Sequence, residues 1–95
     1  MSVDALLLAL RTTFDPAAAG DLITEVELQL DGDTVTVTVA SGQLTMRRGP
    51  SHHATATLTA DVASLRNLIY RGTTGQQVHI EGDQQAVRRV IAALR

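Results

Sequence analysis

The amino-acid sequence predicts an α+β domain of two layers, in which helices cover one face of a five-stranded, mainly antiparallel sheet. Three observations lead to this prediction. Five segments alternate apolar and polar residues as strands do, and three others carry apolar residues at helical spacing. Two tight-turn pairs, Asp31-Gly32 and Ser41-Gly42, join the first three alternating segments into a meander. Only one face of each strand is apolar, so we expect helices on that face and water on the threonine-rich face.

The first element is a helix over residues 2–11, and Ser2 is placed as its N-cap. Its core-facing stripe consists of leucines and a valine at helical spacing, namely Val3, Leu6, Leu7 and Leu10. Pro16 breaks the helical pattern, and the following "PAAAG" (16–20) ends in a glycine that suits a turn.

Three strands follow, over residues 22–30, 34–40 and 43–47. In the second of them, valines occupy one face and threonines the other. A loop over 48–53 then leads to a short fourth strand, 54–59.

The carboxyl-terminal part alternates helices with the last strand. Thr59 or Asp61 can cap a helix that ends at Gly72. The sequence "VHIE" (78–81) predicts the fifth strand, and Asp83 caps a last amphipathic helix that runs to residue 94.

Composition limits the classes of function. The chain has 95 residues, which allows one domain, and we expect that domain to span residues 1–95. There is no cysteine, the net charge is -2, and no apolar run approaches the length of a membrane helix. Without a basic block or aromatic platforms, direct nucleic-acid contact is not expected. We therefore expect a cytoplasmic protein with no cofactor and no membrane span.

The turn between the last strand and the last helix resembles a phosphate-binding corner only superficially. A dinucleotide fingerprint has three glycines at fixed spacing, whereas Gly82 stands alone. Glu81 and Asp83 flank this glycine, and their carboxylates would repel a phosphate. We interpret the corner as structural.

The sequence offers no catalytic residues and no metal ligands. His52 and His53 are adjacent in a loop and His79 faces outward, so three ligands do not converge on one ion. No serine lies in a nucleophile elbow. What remains is apolar surface with only two aromatic residues, which fits either a plain core or a core that holds a ligand cavity. Periodicity does not separate these two.

The second half of the chain resembles a known superfamily. "ATATLTADVASLRNLIYRG" (54–72), followed by "VHIEGDQQAVRRVIAAL" (78–94), is similar to the sterol carrier protein 2 (SCP2) superfamily, with Thr57-Leu58-Thr59 and Gly82-Asp83 as the best-matching marks. The match looks closest to the carboxy-terminal domain of secondary alkylsulfatases. It also resembles the domain that follows the winged helix in HxlR-type bacterial regulators, where "LLALRTTFDPAAAG" (7–20) is similar to the lead-in.

The resemblance implies helices that enclose an apolar tunnel for lipids or other hydrophobic molecules, and it supplies no catalytic residue. We accordingly expect a non-enzymatic module that binds an apolar small molecule or a lipid. Together with the aromatic-poor core, it suggests an apolar lining made of Leu10, Phe14, Val37, Val39, Leu44, Met46, Leu65 and Ile69. Many family members carry an additional helical segment where this chain has only "TTGQQ" (73–77), which favours a smaller cavity, a cavity shared across a dimer, or none. The alternative is a regulatory or dimerisation module without ligand carriage, related to the winged-helix regulators.

The first helix also predicts self-association. Leu8 points roughly 100° away from Leu7 and does not reach the same surface. Ala5 and Ala9 extend this second face with small side chains. We expect a homodimer through this face, or the docking of a neighbouring domain on it.

Overall fold

Four helices and five strands make up the part of the chain that the computed structural model describes, residues 2–71 and 78–94. The helices are α1 (Val3–Thr13), α2 (Pro16–Ala19), α3 (Val62–Arg71) and α4 (Gln84–Leu94). The strands are β1 (Thr24–Leu30), β2 (Asp33–Ala40), β3 (Gln43–Arg48), β4 (Ala56–Ala60) and β5 (His79–Gly82). The short segment 73–77, on which the cavity expectation depended, lies outside the described residues.

The strands form one mixed sheet in the order β3-β2-β1-β4-β5. Three of its pairings are antiparallel, and only β4 runs parallel to β1. The predicted α+β architecture with a five-stranded, mainly antiparallel sheet is confirmed.

Both predicted hairpin turns form. Asp31 and Gly32 have φ angles of 51° and 86°, and Ser41 and Gly42 have 53° and 70°. Positive φ at both central residues matches the twist of the flanking strands and explains why these residue types stand there. Asp31 has a second role, because its carboxylate accepts the Val62 backbone N–H at 3.2 Å and so helps to cap α3.

The carboxylate of Asp61 is the other cap of α3, since it accepts the Ser64 backbone N–H at 2.6 Å. Hydrogen bonds from the Ser64 hydroxyl and backbone hold the pKa of Asp61 below its ordinary value. Of the two capping residues that the sequence allowed, the structure uses Asp61; the Thr59 hydroxyl is instead 3.3 Å from the Gln29 side chain on the neighbouring strand.

The segment after α1 forms a short helix where the sequence predicted a turn. Pro16 starts α2 at a position where its missing N–H costs nothing, and three alanines follow it. Asp15 caps this helix and donates its own backbone N–H to the carbonyl of Ala93 at 2.7 Å. The Thr13 hydroxyl donates to the Leu94 carbonyl at 2.6 Å, so this segment also satisfies the carboxyl end of α4.

One aliphatic cluster joins the helices to the apolar face of the sheet. Alternate residues of β1 and β2 point into it, and α1, α3 and α4 cover it with leucine, isoleucine, valine and alanine. Leu6, Leu10 and Leu30 are completely buried. Of the two aromatic residues, Phe14 packs against the cluster from its margin and Tyr70 is exposed.

The sequence predicted that the polar face of the sheet is open to water. At the centre of this face that prediction is wrong. Because β3 is an edge strand and β4 lies beyond β1, the connection between them crosses β2 and β1 on the polar face. Thr36 beneath it is only 2% exposed and donates its hydroxyl to the Gly49 carbonyl at 2.9 Å. Ser51 donates its backbone N–H to Glu27 at 3.0 Å and its hydroxyl to Glu25. These polar bonds tie the connection to the sheet.

Candidate ligand-binding region

The sheet and the helices enclose an interior cavity of about 20 Å³. A volume of this size accommodates about one water molecule, and an alkyl chain needs far more room. The described residues that line the cavity all have aliphatic side chains: Leu10, Val26, Leu28, Val37, Leu58, Leu65, Ile69, Val87, Val90, Ile91 and Leu94. In the described conformation these side chains themselves fill most of the space between the sheet and the helices.

A groove opens at the edge of the same layer, between α1 and the edge strand β3. We call it the α1–β3 groove. One part has a volume of about 350 Å³ and is lined by Arg11, Phe14, Leu44, Thr45 and Met46. A second part of about 260 Å³ shares Arg11 and Met46 with the first and continues along α1 past Leu7 and Leu8 to Asp4 and Arg48. Met46 belongs to the buried cluster, and Phe14 and Leu44 pack against it, so the floor of the groove is the outer surface of the core.

The structure places seven of the eight lining residues predicted from the sequence around two separate spaces. Four of them surround the interior cavity: Leu10, Val37, Leu65 and Ile69. Three face the α1–β3 groove: Phe14, Leu44 and Met46. Val39 is buried in the core and lines neither space.

Sequence reasoning missed the contribution of β1, β4 and α4 to the interior lining. The missed residues are Val26, Leu28, Leu58, Val87, Val90, Ile91 and Leu94. The apolar arc of α4 was visible as a helical stripe. The pattern did not show that this arc faces α1 and α3 across one shared space, because that depends on the packing of separate elements.

The charged side chains of the groove differ in their partners. Arg48 pairs with Asp4 and, at 3.3 Å, with Asp33, and these carboxylates raise its pKa. Arg47 donates to the Pro50 carbonyl at 3.3 Å. Arg11 reaches across from α1 to the Met46 carbonyl on β3 at 3.5 Å, and no carboxylate of the described residues lies within salt-bridge distance of it.

The described residues contain no cluster of three or more histidine, aspartate or glutamate side chains that could hold a metal ion. Ser51 donates its hydroxyl to Glu25 and accepts the His53 backbone N–H at 3.1 Å, an arrangement that anchors the β3–β4 connection. None of the helices in the described ranges is long and apolar enough to cross a membrane.

Acid is expected to destabilise the protein through the two glutamates beneath the β3–β4 connection. The Ser51 hydroxyl, then Thr38 and nearby positive charge, lower the pKa of Glu25, and the Ser51 backbone N–H lowers that of Glu27. The folded state therefore binds fewer protons than the unfolded state below about pH 4.5, the ordinary value. This stabilisation is complete above that pH and is lost as the pH falls through the lower pKa values of the folded state.

Glu25→Gln tests this expectation. The variant is expected to be less stable than the wild type at pH 7 and to lose less stability on acidification, as measured by urea unfolding at a series of pH values. Glu81→Gln serves as the control, because it makes the same change at an exposed carboxylate of β5 whose partner is the exposed His79 ring, and a surface pair of this kind contributes little to stability. An unchanged acid slope in Glu25→Gln would contradict the assignment.

Comparison with known proteins identifies the family of the chain. The family model of the alkyl sulfatase C-terminal domain matches residues 1–95. The chain belongs to this family. No curated protein matches the sequence at a significant level.

Solved structures show the fold of this alkyl sulfatase C-terminal domain. The inverting sec-alkylsulfatase Pisa1 from Pseudomonas sp. superposes with a TM-score of 0.86 at 17% identity over 98% of this chain. The chain spans only 16% of the length of Pisa1. The ubiquinone synthesis protein UbiJ-SCP2 matches over 99% of this chain and 93% of its own, with 19% identity and a TM-score of 0.65. Palmitated SCP2L2 from Aedes aegypti matches over 100% and 96%, with 13% identity and a TM-score of 0.73. The SCP2-like fold expected from the sequence is confirmed.

Proposed function

We propose that this alkyl sulfatase C-terminal domain is a non-enzymatic module that binds the alkyl chain of a lipid or another hydrophobic small molecule. The observation that carries the proposal is the α1–β3 groove, whose apolar floor is the outer surface of an entirely aliphatic core. The SCP2-like fold supports it, because one structure with this fold is described as palmitated.

The two groups of predicted lining residues then have different roles. Phe14, Leu44 and Met46 receive the chain at the groove, where space already exists. Leu10, Val37, Leu65 and Ile69 surround the deeper position. A chain reaches that position only if the helices move away from the sheet, because the cavity there is about 20 Å³. Each methylene group removed from water contributes about 0.8 kcal/mol, which offsets the lost packing of the closed layer.

A chain-length series tests the proposal. Affinity for primary alcohols and fatty acids is expected to rise about fourfold for each added methylene group until the site is full. Native mass spectrometry of the purified protein is expected to show retained lipid, and thermal shift is expected to increase with chain length. No retained lipid and no thermal shift with any chain would overturn the proposal.

A pair of variants locates the site. Leu44→Gln introduces a polar group into the floor of the groove and is expected to weaken alkyl-chain binding about tenfold. Ile23→Gln makes the same type of change at an isoleucine that is 76% exposed and lines neither space, so its affinity is expected to match the wild type. Equal affinities of the two variants would exclude the groove as the entrance.

A second candidate is an accessory role beside a hydrolase, which the family membership favours. The purified domain would then raise the turnover of long-chain alkyl sulfates by an alkylsulfatase that lacks its own C-terminal domain, whereas short-chain turnover would not change. The winged-helix regulator alternative has no support from the three solved structures described above.

Self-association through α1 stays a prediction. Leu8 is 67% exposed, Ala5 is exposed and Ala9 is half-buried, so most of the face that was predicted to mediate a homodimer lies at the surface of the domain. Light scattering at micromolar concentration is expected to give twice the monomer mass for the wild type and the monomer mass for Leu8→Glu. A monomer mass for both proteins would refute the dimer.

A further inference from the structure

We propose that Arg11 binds the anionic head group of a single-chain amphiphile whose alkyl chain lies in the α1–β3 groove. The inference rests on the proposed function and deepens it, because it assigns the chemical class of the ligand and the residue that recognises its polar end.

The position of Arg11 is the first support. Arg11 lines both parts of the groove, with Phe14 and Leu44 in one direction and Leu7 and Leu8 in the other. Arg11 therefore lies where the apolar residues of the two parts meet, while the other charged residues of the groove, Asp4, Arg47 and Arg48, line the second part. An alkyl chain placed on either part would bring a terminal head group next to this side chain.

The hydrogen bonding of Arg11 leaves most of its donors available. Within the described residues its guanidinium makes one hydrogen bond, to the Met46 carbonyl at 3.5 Å, which is long for an N–H···O bond. A guanidinium carries five N–H donors in a planar fork that suits carboxylate and sulfate oxygens. Since no carboxylate of the described chain lies within salt-bridge distance, an external anion meets no internal competitor.

The other arginines of the groove differ from Arg11 in this respect. Arg48, at the far end, already pairs with Asp4 and Asp33. Arg47 lies on the polar side of the sheet, where it donates to the Pro50 carbonyl and lowers the pKa of Glu25. Of the arginines without a carboxylate partner in the described residues, Arg11 is consequently the one that lines both parts of the groove, whereas Arg47 lines the second part alone.

The shape of the groove indicates an amphiphile with one chain. Its walls are one helix and one edge strand, and its two parts measure about 350 and 260 Å³. Because the groove is open, the head group keeps part of its water and avoids the cost of a buried charge. The contribution of the charge is therefore expected to be modest and sensitive to salt.

Four probes with the same ten-carbon chain separate the charge from the chain: decanoate, decyl sulfate, 1-decanol and decyltrimethylammonium. The three ionic probes are used below their micelle concentrations and decanol below its solubility limit. Dissociation constants are measured by titration of backbone amide chemical shifts. The wild type is expected to bind both anions about fivefold more tightly than decanol, with the cation weakest. Shifts are expected along α1 and β3, and the preference is expected to shrink between about 0.01 M and about 1 M salt.

Arg11→Gln is expected to remove the preference for anions and to leave the affinity for decanol unchanged. Arg88→Gln, which removes the charge of an exposed arginine on α4, is the matched control and is expected to retain the preference. Both positions are exposed, and equal melting temperatures would establish that both variants fold.

The outcomes separate the two proposals. If decanol binds but the anions bind no more tightly, or if Arg11→Gln keeps the preference, the role of Arg11 is refuted and the binding of alkyl chains stands. If none of the probes binds, decanol included, both proposals are refuted.

Discussion

Replacing Gly82 with alanine is expected to lower the free energy of unfolding by about 3 kcal/mol or more. A Cβ atom at this position would lie 2.5 Å from the Thr55 carbonyl oxygen and 2.9 Å from the Ala56 Cα. Both are backbone atoms of the neighbouring strand segment, so neither can rotate away. The φ angle of +93° adds strain for any residue with a side chain.

The same close approach explains the glycine and the aspartate that follow the last strand. It lets the Asp83 backbone N–H donate to the Thr55 carbonyl at 3.0 Å, while the Asp83 carboxylate accepts the Ala86 N–H at 3.1 Å and caps α4. The corner therefore joins β4, β5 and α4, as its structural interpretation requires.

Gly32→Ala is the matched control for Gly82→Ala. Its φ of +86° is almost the same, but a Cβ there would meet nothing within 4 Å. This variant is expected to lose only about 1–2 kcal/mol, the cost of the backbone conformation. Urea unfolding of both variants measures the difference, and equal losses would show that contact with β4 is not what requires glycine at position 82.

Leu10→Ala is expected to destabilise the protein by about 3 kcal/mol. Leu10 is 0% exposed and contacts the sheet and helix side chains around the interior cavity, so its truncation removes buried methyl groups and enlarges the void. Ile23→Ala is the control: Ile23 is 76% exposed and lines neither the cavity nor the groove, and the change is expected to stay within about 0.5 kcal/mol.

Unfolding in guanidinium or urea measures the change in the free energy of unfolding for both variants. A decrease below about 1 kcal/mol in Leu10→Ala would mean that the side chains around Leu10 are not tightly packed. The same variant bears on ligand binding. If the alkyl chain enters the layer, decanol is expected to recover part of the lost stability in Leu10→Ala, because a ligand that binds only the folded state stabilises it by mass action.

The local elements were predictable because each depends on a few neighbouring residues. Gly32 and Gly42 adopt positive φ angles without a steric penalty, and aspartate tolerates one at position 31, so the turns and the meander follow largely from residue type. The stripe of α1 and the alternating valines of β2 likewise determine which side of each element is buried.

The candidate site was predictable only in part. The buried side of α1 and of β2 follows from periodicity, whereas Leu10 and Val37 were expected to line a ligand site because of the resemblance to the SCP2 superfamily and the aromatic-poor core. Whether the layer is open or closed depends on the summed volumes of side chains from five or more elements. The sequence also could not indicate that Arg11 lies unpaired beside Met46, because these residues belong to different elements.

From the sequence alone, the three long helices, the five strands, their core-facing sides and the two hairpins were predictable, since these arise from backbone preference and from the spacing of apolar residues. The short helix α2 and the burial of Thr36 on the polar face were not. Only the tertiary structure decided that β4 lies parallel to β1 and that the connection before it crosses the polar face. That path brings Ser51 to Glu25 and Glu27, buries Thr36 and places the Thr55 backbone against Gly82. These contacts join residues 13 to 27 positions apart in the chain, and no local pattern encodes them, because they exist only once the strands have taken their order in the sheet.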